Sequence, residues 1–469
     1  MPATPTNQRP ASPSYRVINP ASGETVEEFP TITDGELQDA ITTAENAFQS
    51  WRQVPMTERS RLIARVGKLF TERKDQLASI ITEEMGKRLS ESRSEVAFCT
   101  EIFNYYAIEG PKLAADQPIK ALNGARAVIQ KLPVGPLLGI MPWNYPYYQV
   151  ARFAAPNLML GNTIILKHAE NCPRSAQAIQ QIMADAGLPR GAYLNVSASH
   201  EQIGTIIADP RIQGVSLTGS ERAGAAVAQI AGRSLKKVVL ELGGSDPYIV
   251  LDSADVQASA RAAFETRMSN AGQACNSNKR IIVMDTIYDE FVAELATQAA
   301  HLKPGNPAYE EPGTFVPLSS VTAAESLLSQ IDDAVSKGAV LHAGGKPVDG
   351  PGSYLEPAVL TGITKDMRAY REELFGPVVV VYKVSSDQEA VTLANDSDYG
   401  LGSAVFSQDT NRAQSVAQQL NSGMATINAA EGEGPGMPFG GVKRSGYGRE
   451  LGPLGMDEFV NKRLLYIAE

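Results

Sequence analysis

Cysteine is scarce in this chain: Cys99, Cys172 and Cys275 are the only three in 469 residues. Their spacing suggests no disulfide framework. Histidine is as thin, with four scattered copies (His168, His200, His301, His342) and no HxxxH or CxxC pattern, so no metal site is expected. Basic charge is in deficit. The formal net charge of −10 argues against a nucleic-acid surface, which needs clustered Lys and Arg. No uncharged apolar run reaches membrane-spanning length. The start, Met1 to Ser14, is polar and Pro-rich and lacks the apolar centre of a signal peptide. These absences fit a reducing, cytoplasmic setting.

What is present is an α/β chain long enough for two or three cores. Apolar residues recur at Leu37, Ile41, Ala44, Phe48 and Trp51, a helical stripe with Asp34 as its expected cap. A second helix is expected from Thr57 toward Met85, and a third from about Leu89 to Glu109. From Ile119 to Ile140 the pattern alternates and becomes β-branched, as a projecting ribbon would. Short strands and helices then alternate: strands near Thr163–Leu166, Gly214–Leu217 and Val238–Leu242 flank helices near Ala176–Ala186 and Ala223–Ala231. This rhythm predicts a parallel sheet covered by helices. A second α/β segment follows Gly244, with strands near Ile281–Val283, Val378–Tyr382 and Met424–Asn428, and Lys462 to Ala468 reads as a terminal strand.

Three residues carry the chemistry. Cys275 closes the run Asn270-Ala-Gly-Gln-Ala-Cys275. An isolated cysteine is ordinarily a small buried residue, and Cys99 and Cys172 fit that description. Cys275 instead follows a flexible glycine and has polar flanks, a setting for a nucleophile. Glu241 ends the apolar strand Val238–Leu240 and precedes Gly243-Gly244. A carboxylate in an apolar mouth has the raised pKa of a general base. Asn144, within Pro142-Trp143-Asn144-Tyr145-Pro146, offers an amide donor to an oxyanion. Gly219-Ser220 ends a strand and opens a helix, where backbone N–H groups favour phosphate. Lys167 and Glu170 follow another strand, within reach of a ribose, and Glu373 lies in a turn before a further strand.

Taken together, these motifs resemble the aldehyde dehydrogenase superfamily from about Tyr15 to the C-terminus. Pro438-Phe439-Gly-Gly-Val-Lys-Arg-Ser-Gly446 and Glu373-Leu-Phe375 belong to the same set. The resemblance implies an α/β architecture of three parts. A Rossmann-like NAD(P)-binding domain would take 15–118 and 139–244, and a catalytic domain 245–430. A small oligomerisation ribbon would take 119–138 and 450–469, while 1–14 would be a disordered tail. It further implies Cys275 as nucleophile, Glu241 as base, and Asn144 with the Cys275 N–H as oxyanion donors. Trp143, Lys167, Glu170, Gly219, Ser220, Glu373 and Phe375 would contact the dinucleotide. The implied reaction is oxidation of an aldehyde through a cysteine thioester, which water then hydrolyses. Acylating relatives that use coenzyme A generally lack the glutamate.

Within the superfamily the chain is most similar to bacterial succinate semialdehyde dehydrogenases. Arg152 matches a position that binds a substrate carboxylate, and Phe439 would line the substrate pocket. Ser269 stands where some relatives have a second arginine, while Glu431 and Glu433 stand where some have serines. Acids at the mouth would suit an ω-aminoaldehyde, which keeps that enzyme, or a general aliphatic/aromatic aldehyde dehydrogenase, as the rival. A catalytically silent structural relative is the alternative of another class. Glu170 would bind the ribose hydroxyls of NAD and repel the 2′-phosphate of NADP, while Lys167 could tolerate either, so NAD is the preferred cofactor and NADP the alternative. A homodimer or homotetramer is expected from the ribbon, with no nucleic-acid or membrane partner.

Overall fold

The computed structural model describes residues 15–121, 125–432 and 434–468. The tail 1–14 and Glu433 lie outside the described residues. Two parallel-rich sheets divide the chain. The first has six strands in the order Gly446–Tyr447, Lys237–Glu241, Gly214–Thr218, Pro136–Met141, Thr163–His168, Tyr193–Asn195. All are parallel except Gly446–Tyr447, which returns from the C-terminal region and pairs Gly446 with Glu241. Chain order reverses between Pro136–Met141 and Gly214–Thr218. Such a switch point opens a crevice at the carboxyl ends of the strands.

The second sheet has seven strands, running from Val340–Ala343 through Ala358–Thr361, Val378–Val384, Arg280–Met284, Pro247–Val250 and Ala404–Phe406 to Thr426–Ile427. Its central strands read as unbroken apolar runs because both faces are covered. A separate ribbon joins Gln117–Lys120, Arg126–Pro133 and Val460–Ile467. The expected ribbon therefore overran its end: Pro136 to Leu138 belong to a central strand of the first sheet. Residues 450–459 are not ribbon either, since they hold the short helix Gly452–Met456.

The helical region differs in two details. Thr33, not Asp34, caps the first helix, in a reciprocal capping box with Glu36. The long second helix is two, Met56–Glu72 and Lys74–Met85, broken at Arg73. Helix Tyr148–Leu160 is buried on every side, its polar residues Gln149, Arg152 and Asn157 included. Its entry is fixed by Glu95, whose Oε1 accepts from the N–H groups of Tyr147 (2.8 Å) and Tyr148 (3.1 Å). The other oxygen of Glu95 pairs with Lys87 at 2.5 Å, and both side chains are essentially without solvent contact. Removing one partner of such a pair costs on the order of 3–5 kcal/mol, because the other is left charged and buried. No helix among the described residues is long and apolar enough to cross a membrane.

Candidate active site

Cys275 sits where the second sheet meets the first, just before the buried strand Arg280–Met284. Its approach is a tight turn in which Asn270 (φ 50°), Ala271 (φ 53°) and Gly272 (φ 73°) are all left-handed. Two non-glycine residues in that region carry a steric cost. Buried partners hold them there. Arg267 donates to the carbonyls of Gly272 (2.9 Å), Val378 (2.9 Å) and Leu374 (2.6 Å). Glu91 accepts from the Asn270 N–H at 2.8 Å, and Gln273 Oε1 accepts from the Ser319 N–H at 2.9 Å.

The Pro142–Pro146 loop packs against this turn. Asn144 is buried, and its Nδ2 donates to the Gln273 carbonyl at 3.0 Å. An amide nitrogen has two N–H groups, so this bond fixes the side chain without exhausting its donors. Asn270 Nδ2 returns the contact by donating to the Asn144 carbonyl at 2.9 Å. His168 anchors the far end of the loop, Nε2 to the Pro146 carbonyl at 2.9 Å, while its Nδ1 accepts from the Ala169 N–H. Burial pushes that imidazole down to about 4, so it stays neutral.

Glu241 is 2% exposed, and neither of its oxygens has a hydrogen-bond partner among the described residues. Burial pushes its carboxyl well above the ordinary range, opposed by Arg152 and reinforced by Glu450. The Cys275 thiol is pushed up to about 12 by burial, against the pull of Arg152 and Lys279. Cys275 and Phe439 line a cavity of about 370 Å³ with Tyr145, Tyr148, Ser269 and Glu431. A thiol at a cavity wall, an amide held beside its loop and a raised carboxylate nearby can perform acyl transfer.

The crevice at the switch point suits a dinucleotide. Gly219 and Ser220 lead into helix Glu221–Arg233, which Ser220 caps. A Cβ built on Gly219 would touch only Leu217, at 3.7 Å, so a ligand can come close. Trp143 and Phe375 stand edge to face with centroids 5.7 Å apart. Glu373 Oε1 accepts from the Gly244 N–H at 3.1 Å, and a Cβ on Gly244 would collide with the Cys275 carbonyl. Lys167 and Glu170 lie at the end of the next strand, Nζ to Oε1 3.8 Å.

A model of the aldehyde dehydrogenase family matches residues 8–465. The chain belongs to the aldehyde dehydrogenase family. It is 52% identical over 467 residues to a succinate-semialdehyde dehydrogenase [NADP(+)] of Deinococcus radiodurans, covering 99% of this chain and 97% of that one. A Mycobacterium tuberculosis protein of the same name, numbered 1, is 42% identical over 96% of this chain and 99% of its own. The crystal structure of succinic semialdehyde dehydrogenase from Streptococcus pyogenes with NADP+ superposes with a TM-score of 0.93 at 41% identity, covering 97% and 100% of the two chains. This aldehyde dehydrogenase therefore has the expected fold and performs NAD(P)-dependent aldehyde oxidation.

Arg152 is not among the residues that line the cavity. It is fully buried, with Nε against Glu450, Nη2 donating to Thr218 Oγ1 at 3.2 Å, and its guanidinium 4.5 Å from the Phe439 ring centroid. Glu450 is held in turn by the Ser216 hydroxyl at 3.1 Å. Phe439 and Tyr148 reach the cavity wall, whereas the cation stays behind them, engaged by Glu450. The ion pair with Glu450 holds the guanidinium behind that wall, while its Nη1 has no hydrogen-bond partner among the described residues. Sequence reasoning missed Glu450, Glu95 and Lys279. Glu450 and Lys279 had a legible signal, a charge beside a glycine run or an apolar strand, but nothing named the partner.

Truncating Arg152 should therefore injure the enzyme without sorting its substrates. Arg152→Ala is expected to lower kcat/KM alike for an anionic aldehyde and a neutral aldehyde of equal length. It should also destabilise the fold by about 3–5 kcal/mol, since Glu450 loses its cation. Steady-state kinetics with thermal unfolding checks both, and a loss confined to the anionic aldehyde would return Arg152 to the substrate.

Proposed function

We propose that the enzyme oxidises a short aldehyde hydrolytically, with Cys275 as nucleophile, Asn144 as oxyanion donor and Glu241 as base. The observation that carries this reading is a buried carboxylate, Glu241, with no hydrogen-bond partner among the described residues, whose charge acts on the Cys275 thiol at a cavity wall. In the first half, the Cys275 thiol gives up its proton to solvent, the thiolate bonds to the aldehyde carbon, and the carbonyl π pair moves onto the oxygen as negative charge. The second Asn144 N–H and the Cys275 backbone N–H receive that charge. Gly219, Ser220, Glu373 and Phe375 would hold a nicotinamide dinucleotide in the crevice, and it would supply the hydride acceptor that oxidation of the Cys275 adduct to a thioester requires. In the second half, Glu241 takes a proton from water, whose oxygen attacks the thioester carbon; the C–S bond breaks, the sulfur leaves as the Cys275 thiolate, and the carboxylic acid is released. A carboxyl raised by burial is matched to this proton transfer.

Glu241→Gln should stall the second half. Steady-state kcat is expected to fall about 10²–10⁴-fold while a first-turnover burst of reduced nicotinamide survives. The acid limb of the wild-type kcat profile, above the ordinary carboxylate range, should vanish with it. Loss of the burst along with turnover would place Glu241 in the first half instead.

For the cofactor we favour NADP, reversing the expectation drawn from Glu170. The relatives named above carry NADP in their names or their structure. Lys167 also supports it, because its ammonium lies beside the carboxylate that would repel a 2′-phosphate. For the substrate we propose succinate semialdehyde, on the strength of the 52% identical relative.

A second reading rests on the cavity itself. Its described lining includes Glu91, Glu95 and Glu431 but one cation, Lys87, which Glu95 already neutralises. An acidic mouth favours an ω-aminoaldehyde. Succinate semialdehyde, 4-aminobutanal and butanal, each with NADP and NAD, separate the two readings. We expect the highest kcat/KM with succinate semialdehyde and NADP. Glu431→Ser should improve that value about 2–5-fold, as removal of one solvent-exposed like charge does. Preference for 4-aminobutanal, lost in Glu431→Ser, would establish the second reading.

We propose also that the ribbon makes the enzyme a homo-oligomer. Val460–Ile467 is an edge strand of eight residues, and Leu464, Leu465, Tyr466 and Ile467 on it are exposed. Such an edge pairs with another chain unless it is covered. Sedimentation should give a dimer or tetramer, and a stable monomer at micromolar concentration would refute the assignment.

A further inference from the structure

Lys279 is a buried lysine with no place in the reaction described so far. It is 1% exposed. Its Nζ donates to the carbonyls of Ala274 (2.5 Å) and Cys275 (2.8 Å) and pairs with Glu373 Oε1 at 3.1 Å. The ring of Phe375 lies 5.7 Å away. One ammonium thus uses its three donors on two backbone oxygens of the Cys275 loop and on the carboxylate at the cofactor crevice. The same Glu373 oxygen accepts from the Gly244 N–H, so the lysine ties both linkers between the sheets to one point.

We propose that Lys279 is a positioning residue: it fixes the two carbonyls that orient Cys275 and supplies the local positive charge that draws out the thiolate, with Glu373 as its counter-ion. The inference rests on Cys275 being the nucleophile. A burial-raised thiol needs nearby cations to ionise. The charged groups that act on it are Arg152, Lys279, Glu373 and Glu241, from four different segments. Lys87, Glu91, Glu95 and Glu431 line the same cavity. Arg152 is matched by Glu450 and its hydrogen bond goes to Thr218, not to the Cys275 backbone. Lys279 bonds the Cys275 carbonyl and the Glu373 carboxylate together. Its counter-ion lies on the cofactor side, so the balance between Lys279 and Glu373 sets how much positive charge the sulfur receives.

Iodoacetamide alkylation tests this without turnover. Cys99 and Cys172 are fully buried, so the label reports Cys275, with Cys275→Ser as the blank. In Lys279→Gln the alkylation rate should fall about tenfold at each pH on the rising limb, as a shift of about one pKa unit dictates, with the high-pH plateau unchanged. Lys279→Arg should restore most of the loss. Glu373→Gln should raise the rate severalfold, because it removes the opposing charge. A rising limb unmoved in Lys279→Gln, or a lowered plateau alone, would overturn the proposal. If Lys279→Gln fails to fold, Glu373→Gln decides: a faster rate supports the assignment and an unchanged one overturns it. Aldehyde oxidation surviving in Cys275→Ser would instead refute the nucleophile reading, a separate failure.

Discussion

Buried cations hold the backbone on which the chemistry stands. Arg267 fastens the left-handed turn by gathering carbonyls from Gly272, Leu374 and Val378, and Lys279 fastens the residues after it. Backbone oxygens away from water need donors, and a charged donor gives the strong version of that bond. In a chain whose net charge is −10, several of its positive groups lie in the interior around one loop. The left-handed residues would relax without them. The rest of the site takes its position from this loop: Asn144 leans on Gln273, and Gly244 lies against the Cys275 carbonyl.

Charge is layered behind the cavity wall. Arg152 faces Glu450, Glu450 takes the Ser216 hydroxyl, and Glu241 lies near both with no hydrogen bond among the described residues. Glu450 is held by a cation and a hydroxyl, whereas Glu241 is left without such partners. A burial-raised carboxyl beside a compensated pair is how one region of protein gives two acids different roles.

The sequence made the fold class, the strand–helix rhythm and the Cys275, Glu241 and Asn144 segments legible, since each depends on local pattern: apolar periodicity, a glycine after a strand, a proline-bounded loop. What it hid depended on pairing across long separations. Arg152 reads as a free cation until Glu450, 298 positions later (450 − 152), is folded against it. The ribbon's end was misplaced for a related reason. Alternation runs without interruption through Pro133 into Pro136–Met141, and only the partner strands show that one stretch joins the ribbon and the other the parallel sheet. Glu170 reads as repelling a 2′-phosphate and Lys167 as tolerating either cofactor; that their charged ends lie 3.8 Å apart is visible only in the fold.

The strand Gly446–Tyr447 has a bearing on how the protein is made. It runs against Glu241, and Gly440 lies so near the carboxylate that a Cβ there would meet Glu241 Oε1 at 2.6 Å. The acid and the thiol are therefore translated long before the segment that walls them in. A nascent chain released early would carry both reactive groups but no enclosure around them. Competence thus waits on a stretch translated well after both of them.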